Sequence, residues 1–413
     1  MMRIGIYNRH LATLGGGERY SLAIASLLAP ANDVEVISHT AVDPAQIATR
    51  LHLPLDRVRY RVVPAQPAAD LGPLSAEYDF FINASNGDFI TPAAPHSALV
   101  VFFPAHPGGR ITRSVRARGN ALLRRLLALA PDAQPTSLQQ RLTDRLVALS
   151  PELDARLRNP QPADLRAVAA RYDLRWAISR FTQQWIQRYW ALPGSLLYPA
   201  VDVENFVALP KEPWILSVGR FFAGQHNKQH LAMVRTFGEL VDEGFSGWHL
   251  RLAGGVTPGA VHSAYLEEVR QAAAGYPITV HADLSFAALR ELYGRSAIYW
   301  HAAGHGEDEM AAPVKFEHFG ITTVEAMAAG CVPVVIGAGG QRELVQPGVS
   351  GYLWRTAAEL KSSTRRLVAR PELATELSKA AMRAGRRFDW PHFRQQLVVS
   401  LAAAGIPAEV AGP

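Results

Sequence analysis

The chain alternates short apolar runs with amphipathic segments. Near its start, the apolar run RIGIY at residues 3–7 is followed by a glycine loop, GGGERY, at residues 15–20. Apolar residues then recur at helical spacing from Tyr20 to Leu28, and a second apolar run, VEVISH, follows at residues 34–39. A strand, a glycine loop, a helix and a strand in this order predict a βαβ unit and therefore a parallel sheet.

The first half of the chain continues this pattern and then loses it. Two more apolar runs, at residues 79–85 and 98–103, indicate further strands, and residues 138–169 indicate polar helices that elaborate the same domain. At residues 198–210, YPAVDVENFVALP, the helical periodicity stops and prolines bracket a short extended stretch. This composition predicts a linker.

The pattern of strands and helices restarts after the linker. Leu231, Val234, Phe237 and Val241 have the spacing of a helix. The apolar runs that predict strands of a second sheet are WILSVGR at 214–220, HLRLAGG at 249–255, ITVHAD at 278–283, AIYWHA at 297–302 and CVPVVIG at 331–337. The second half of the chain therefore predicts another open α/β domain of similar size.

The length of 413 residues also favours more than one hydrophobic core. The predicted fold class is α/β, with two doubly wound sheets joined by one linker. Ligands of such sheets bind at the carboxyl ends of the strands. We expect the two sets of strand ends to face each other across a ligand-binding cleft.

Composition places the chain among ordinary soluble globular proteins, with 48% apolar and 19% charged residues. The first residues lack the apolar segment of a signal peptide, and no stretch approaches the roughly 18 apolar residues that cross a bilayer. These observations predict a cytoplasmic protein. The single cysteine, Cys331, lies in the apolar run AMAAGCVPVVI, which indicates packing rather than reactivity.

The formal net charge is +6, and arginine is unevenly distributed. Six arginines and no acidic residue occur between Arg110 and Arg125. A solvated helix face and a surface for anionic lipid or phosphate both fit this cluster. No aromatic residue interleaves the arginines, so we expect no nucleic-acid partner. Arg116 and Arg118 are candidates for acceptor contact or for a peripheral contact with the inner face of the membrane.

Two glutamates stand eight positions apart in FEHFGITTVEAMAAG, at residues 316–330. Thr322 precedes Glu325 by three residues, which is the spacing of a capping box and would make Glu325 a structural residue. Alternatively, Glu317 in the loop and Glu325 in the first turn could bond separate hydroxyls of one elongated ligand, such as a sugar. Backbone amides from Phe319 to Thr323 would then be free to face an anion. Both interpretations stay open at this point.

Two cations flank one strand-to-helix loop in SVGRFFAGQHNKQH, at residues 217–230. Arg220 ends a predicted strand and Lys228 lies just before the next helix, which suits a clamp for a diphosphate. In the first domain, Gly16 and Gly17 would let a ligand phosphate approach the backbone at a helix start. This loop matches neither the dinucleotide-binding nor the P-loop pattern, and Glu18 could be a favourable first-turn acid.

Together these segments resemble the family 4 (group 1) retaining glycosyltransferases, which have the GT-B fold. The second domain carries the resemblance best, and its Glu-x7-Glu signature is highly specific. The matching segments are VGRFF…HNK at 218–228, WHAAGHG at 300–306, EHFGITTVEAMAAGCVPVV at 317–335, GGGER at 15–19, ISRFT at 178–182, YPAVDVENF at 198–206 and RFDWPHF at 387–393.

The resemblance implies three parts of the chain. Residues 1–205 would form an acceptor-side Rossmann-like domain, and residues 206–388 a Rossmann-like domain that binds the nucleotide sugar. Residues 389–413 would cross back to the first domain.

The resemblance also implies roles for individual residues. Glu325 would bond the ribose, and Glu317 the hydroxyls of the sugar. The other donor-site residues would be Arg220 and Lys228 at the diphosphate, the amides of Phe319, Gly320, Ile321 and Thr322, and Gly16 and Gly17 across the cleft. Relatives often carry a histidine before a Phe/Tyr-Pro pair; here Phe102 stands there, and His106, four residues on, is the acceptor-side candidate.

The implied activity is retaining transfer of a sugar from a nucleotide-sugar donor to a glycan or lipid-linked glycan of the cell-envelope or exopolysaccharide type. The donor is a co-substrate, and neither a cofactor nor a metal is expected, since the chain has no Asp-x-Asp. Two alternatives remain. One is a non-catalytic GT-B-like subunit that binds nucleotide sugars, and the other is a sugar-nucleotide epimerase.

Overall fold

The structure is a computed structural model that describes residues 1–13, 15–64, 68–106, 164–224 and 226–411. Most of the predicted helical region at 138–169 lies outside these residues, as do Arg116 and Arg118. The chain forms two compact units. The first comprises Met1–Ile178, Thr182–Leu197 and Arg394–Pro413, and the second comprises Ser179–Phe181 and Tyr198–Phe393. The sequence placed this boundary at residue 205, and the start of the final segment at residue 389.

The first unit contains a parallel sheet with the strand order β3-β2-β1-β4-β5-β6-β7. Its strands are β1 (Arg3–Tyr7), β2 (Asp33–Ser38), β3 (Arg59–Val62), β4 (Phe80–Asn83), β5 (His96–Val101), β6 (Leu174–Ala177) and β7 (Ser195–Leu196). The described helices in this part of the chain are α1 (Gly16–Leu28), α2 (Pro44–Leu51), α3 (Gly72–Ser75), α4 (Leu165–Ala170) and α5 (Arg180–Trp190).

The core of the first unit lies on both faces of this sheet. Every residue of β4 is buried, because a central parallel strand has helices on both sides. Phe80 packs edge-on against Trp176, with 6.3 Å between ring centroids. The indole of Trp176 donates to Ser400 Oγ at 2.7 Å, which ties the last helix of the chain to this core.

The second unit contains a parallel sheet with the order β10-β9-β8-β11-β12-β13. Its strands are β8 (Glu212–Val218), β9 (His249–Gly254), β10 (Ile278–Ala282), β11 (Ser296–His301), β12 (Val332–Ile336) and β13 (Tyr352–Trp354). The helices that follow β8 are α6 (His230–Asp242), α7 (Ala260–Ala273), α8 (Phe286–Arg295), α9 (Ile321–Ala328), α10 (Gln341–Leu344), α11 (Ala357–Ala369), α12 (Pro371–Gly385) and α13 (Trp390–Ala403).

Both sheets are doubly wound, which confirms the predicted fold class. In each sheet the first strand lies beside the fourth: β1 pairs with β4, and β8 pairs with β11. The connections leave such a pair in opposite directions, so a crevice opens at the carboxyl ends of the two strands. In the second unit this switch point lies between Val218 and His301, the last residues of β8 and β11.

Two predicted strands end earlier than the sequence suggested. The structure ends β8 at Val218, so Arg220 lies two residues beyond the strand and is exposed. The chain after β8 approaches β9 closely, since a Cβ on Gly254 would lie 1.9 Å from Gly219 O. In the first unit β5 ends at Val101, which leaves Phe102 in the turn that follows.

Cys331 is fully buried, as its apolar setting indicated. Its Sγ–H lies 3.2 Å from the carbonyl oxygens of both Tyr293 and Ser296. Burial raises the pKa of the thiol to about 11, so the group packs as a neutral side chain. In the described parts of the chain, no helix combines the length and the apolar character that crossing a bilayer requires.

Candidate active site

The helix that carries Glu325 begins differently from the capping-box prediction. Gly320 is the N-cap residue of α9 and has a left-handed backbone, with φ of +115° and no side-chain cap. Thr322 lies inside the first turn, where its Oγ1 accepts from the hydroxyl of Tyr299 at 2.8 Å. Glu325 instead accepts from the hydroxyl of Tyr293 at 2.9 Å. The capping interpretation is wrong because the glycine, and not the threonine, starts the helix.

Glu317 is the centre of a small charged cluster. Its Oε2 accepts from Lys228 Nζ at 2.6 Å and from His301 Nε2 at 2.9 Å. Burial by itself would raise the pKa of Glu317. The charge of Lys228 and the hydrogen bond from His301 outweigh that effect and hold the pKa well below its usual value. Glu317 is therefore an anion near neutral pH.

His301 was not among the candidates drawn from the sequence. It is the last residue of β11, and only 2% of its side chain is exposed. Burial lowers its pKa, so the ring is neutral near pH 7 and its proton sits on Nε2, where Glu317 accepts it. The available signal was a polar residue at the end of the buried run AIYWH, since the carboxyl end of a parallel strand is where ligand contacts gather.

The cluster lies at the switch point of the second sheet. Lys228 belongs to the loop after β8, and Glu317 to the segment after β11, the neighbouring strand. Arg220 projects from the same loop as Lys228, with its guanidinium 5.7 Å from the ring centroid of Phe222. Burial lowers the pKa of His226, and the positive charges of Lys228 and Arg220 lower it further. Both cations therefore lie near the His226 side chain.

The start of α9 offers several backbone donors. The amides of Thr323 and Val324 donate to Gly320 O, at 3.0 and 3.2 Å. The predicted set of free amides therefore loses Thr323, because the helix itself uses that group. The backbone amides of the four preceding residues donate to no acceptor in the described part of the chain. These residues are Phe319, Gly320, Ile321 and Thr322.

The candidate glycines of the first unit are distant in sequence from the cluster around Glu317. Gly16 and Gly17 are the first residues of α1, and the Gly15 amide donates to Glu18 Oε2 at 2.7 Å. Glu18 thus serves the first turn of its own helix. A Cβ on Gly17 would lie 3.3 Å from the ring of Phe102, so this glycine allows close packing.

His106 is the acceptor-side candidate within the described part of the first unit. His106 is exposed and stands edge-on to Tyr189, with 4.8 Å between ring centroids.

Within the described ranges, no three or more His, Cys, Asp or Glu side chains are grouped to hold a metal ion. Lys228 supplies a positive charge beside Glu317.

The sequence of the second unit matches a known family. Residues 203–384 match the family described as Glycosyl transferases group 1. A GDP-Man:Man(3)GlcNAc(2)-PP-Dol alpha-1,2-mannosyltransferase from Dictyostelium discoideum is 27% identical over 221 residues, which are 49% of this chain and 41% of that protein. A sucrose synthase from Acidithiobacillus caldus is 31% identical over 100 residues, or 22% of this chain and 13% of that protein. The chain thus spans less than half the length of these curated relatives.

Solved structures match the fold over nearly the whole chain. Anabaena HepE in complex with UDP and glucose has a TM-score of 0.63 at 16% identity and covers 98% of this chain and 100% of its own. Sucrose-phosphate synthase from Thermosynechococcus elongatus gives 0.62 at 16%, with the same coverage. A glycosyltransferase from Rickettsia africae gives 0.63 at 13%, covering 97% and 98%. The chain therefore has the GT-B fold, and its residues 203–384 are similar to the group 1 glycosyltransferases.

Proposed function

We propose that this protein is a retaining glycosyltransferase that moves a sugar from a nucleotide-sugar donor to a glycan or lipid-linked glycan acceptor. One observation carries the proposal. Glu317 precedes and Glu325 follows the start of α9, where four amides have no acceptor in the described part of the chain, and Glu317 accepts from Lys228 at the switch point of the second sheet. Hydroxyl-bonding carboxylates next to anion-binding groups suit a molecule that joins a sugar to a diphosphate.

The donor would lie along this edge of the sheet. Glu325 would bond the ribose hydroxyls and Glu317 the hydroxyls of the transferred sugar. Arg220, Lys228 and the amides before Thr323 would bind the diphosphate. HepE was solved with UDP and glucose, which agrees with a nucleotide-sugar ligand for a protein of this fold.

The reaction would break the bond between the anomeric carbon and the departing phosphate oxygen. Such transfers pass through an oxocarbenium-like state while the leaving diphosphate gains negative charge. Lys228, Arg220 and the α9 amides would stabilise that charge, which is where electrostatic catalysis acts most strongly. The acceptor oxygen would attack from the same face and pass its proton to the departing phosphate, which gives retention. No step in this scheme needs a divalent metal.

The acceptor side would belong to the first unit, with His106 and the arginine cluster as candidates. A lipid-linked or anionic glycan of the cell envelope fits the charge of that cluster. The Dictyostelium relative is named for transfer to a lipid-linked glycan. Reversing the charge of Arg116 and Arg118 together should weaken binding to anionic vesicles and raise the acceptor KM without changing donor affinity. Unchanged vesicle binding and acceptor kinetics would remove this part of the proposal.

The first experiment is a thermal-shift screen against UDP-, GDP-, ADP- and dTDP-sugars, with Glu325→Ala alongside. A ligand that binds only the folded state raises the melting temperature by mass action. We expect one nucleotide class to shift the wild type and to shift the variant less. Incubation of that donor with candidate glycans should then release the nucleoside diphosphate only when an acceptor is present. Absence of any shift at millimolar donor would contradict the proposal.

A further inference from the structure

The two carboxylate oxygens of Glu317 differ in the number of hydrogen bonds that they accept. Oε2 accepts two hydrogen bonds, from Lys228 and from His301. Throughout the described ranges, Oε1 accepts none from the protein. The side chain is only 17% exposed, and an anion in that setting gains most from a well-placed donor. A sugar hydroxyl is such a donor, so Oε1 is the oxygen available to the ligand.

The two donors to Oε2 differ in rigidity. His301 lies on a paired strand, in register with Val335 of β12, and is 2% exposed. The neighbouring Trp300 is fully buried, and its indole donates to Thr364 Oγ1 at 3.1 Å. An imidazole in this position has no freedom to follow a ligand. Its Nε2–H therefore points at Glu317 whether or not the site is occupied.

Lys228 is the less constrained member of the pair. Its side chain is 22% exposed, lies in a loop and has a flexible four-carbon stem. In the proposed donor complex, the diphosphate competes with Glu317 for the ammonium group. If Nζ turned towards the phosphates, Glu317 would lose its charged partner and could rotate away from the sugar. His301 would still hold Oε2.

We propose that His301 is a positioning residue, which fixes Oε2 of Glu317 so that Oε1 stays directed at the transferred sugar. This inference rests on the proposed function. It differs from a purely structural role in one measurable way. A structural histidine would affect all ligands of the folded protein alike, whereas a residue that orients Glu317 would affect only the ligand that contains the sugar.

The test compares His301→Leu, which removes the donor, with His301→Gln, whose side-chain amide carries a donor at similar reach. Affinities of the full chain are measured by calorimetry for four pairs of a nucleotide sugar and its nucleoside diphosphate. The pairs are UDP-glucose and UDP, GDP-mannose and GDP, ADP-glucose and ADP, and dTDP-glucose and dTDP. For the pair that binds the wild type, His301→Leu should weaken the nucleotide sugar about tenfold or more, as expected for a hydrogen bond to a charged group. The nucleoside diphosphate should stay within about twofold, and His301→Gln should restore sugar binding to within about threefold.

The outcomes distinguish a failure of the proposed function from a failure of the positioning role of His301. If the wild type binds none of the four nucleotide sugars, the proposed function fails and this inference fails with it. If the wild type binds a nucleotide sugar and His301→Leu weakens sugar and nucleoside diphosphate equally, or neither, only this inference is overturned.

A second measurement covers the case in which His301→Leu does not fold. In protein labelled with 15N-histidine, the resonances of His301 are identified by their loss in His301→Gln. The expected result is an Nε2–H tautomer whose shift moves more with the nucleotide sugar than with the nucleoside diphosphate. An Nδ1–H tautomer, or equal movement with both ligands, overturns the inference.

Discussion

The hydroxyl of Tyr293, a fully buried residue of α8, donates to Glu325 Oε2 at 2.9 Å. This bond links Glu325 of α9 to the buried face of α8. The carboxylate in turn raises the pKa of Tyr293, adding to the larger effect of burial, so the phenol remains a proton donor at any working pH. In the proposed donor complex, this hydrogen bond would orient the Glu325 carboxylate towards a hydroxyl of the ribose.

Tyr293→Phe should therefore weaken donor binding. Loss of a hydrogen bond to a charged group corresponds to roughly 1.5–3 kcal/mol, or about a tenfold or greater rise in donor KM. We expect kcat to change less, because contacts to the ribose are the same in the ground state and the transition state. Steady-state kinetics check this. Tyr276→Phe is the matched control, since its hydroxyl donates to Asp242 at 3.1 Å on an exposed surface; equal effects of the two changes would contradict the assignment.

Lys228→Met should lower kcat. If the ammonium stabilises the charge of the departing diphosphate, its removal is expected to reduce the rate roughly 100-fold. Lys315→Met is the control, because Lys315 forms an ion pair with Glu307 at 2.7 Å and both side chains are about one-third exposed. A surface pair contributes little, so that variant should stay within about twofold. A similar loss in both variants would point to a general effect on stability.

Chelation should leave the activity unchanged. The positive charges at the site are those of Lys228 and Arg220, and the proposed reaction uses no metal-bound group. We expect the rate after EDTA treatment to stay within about twofold of the untreated rate, since side-chain cations can supply the electrostatic stabilisation. A tenfold loss that Mg²⁺ or Mn²⁺ restores would show that this view of the site is wrong.

Glu317 should contribute to stability in a pH-dependent way. Its folded-state pKa is lowered well below 4.5, so the unfolded chain takes up the proton first on acidification. The stabilisation is complete above about pH 5 and is lost as pH falls through 4.5 towards the folded value. Glu317→Gln should thus melt below the wild type at pH 7, with the gap narrowing towards pH 3. Melting temperatures across this range test it; a constant gap would contradict the prediction.

Gly320→Ala should be more harmful than the same change at another left-handed glycine. Gly320 has φ of +115°, and a Cβ there would lie 2.7 Å from Gln341 Nε2. Gly348 has φ of +72° with nothing within 4 Å of an added Cβ, so Gly348→Ala isolates the backbone strain of about 1–2 kcal/mol. Crowding should add at least about 1 kcal/mol for Gly320→Ala. Calorimetric melting of both variants gives the comparison, and equal losses would mean that Gln341 moves freely.

Much of the fold followed from local patterns. β1 was predicted with the bounds that the structure has, and the predicted AIYWHA strand differs from β11 by one residue at each end. Buried parallel strands have continuous apolar runs between amphipathic helices, so they stand out in the sequence. Four strands were missed, namely β3, β6, β7 and β13. Each has at most four residues, and all but β6 lie at a sheet edge, so none has such a run.

The sequence by itself determined the two doubly wound sheets, the buried cysteine, and the presence of two glutamates and two cations near strand ends. It could not decide whether Glu325 caps a helix, because Thr322 and Glu325 have the right local spacing for that role. The hydrogen-bond partners of the two glutamates were decided only by the tertiary structure. Lys228 lies 89 positions from Glu317, and Tyr293 lies 32 positions from Glu325. The contact between Lys228 and Glu317 depends on β8 lying beside β11, and strand order is set by packing across the whole sheet rather than by any local segment.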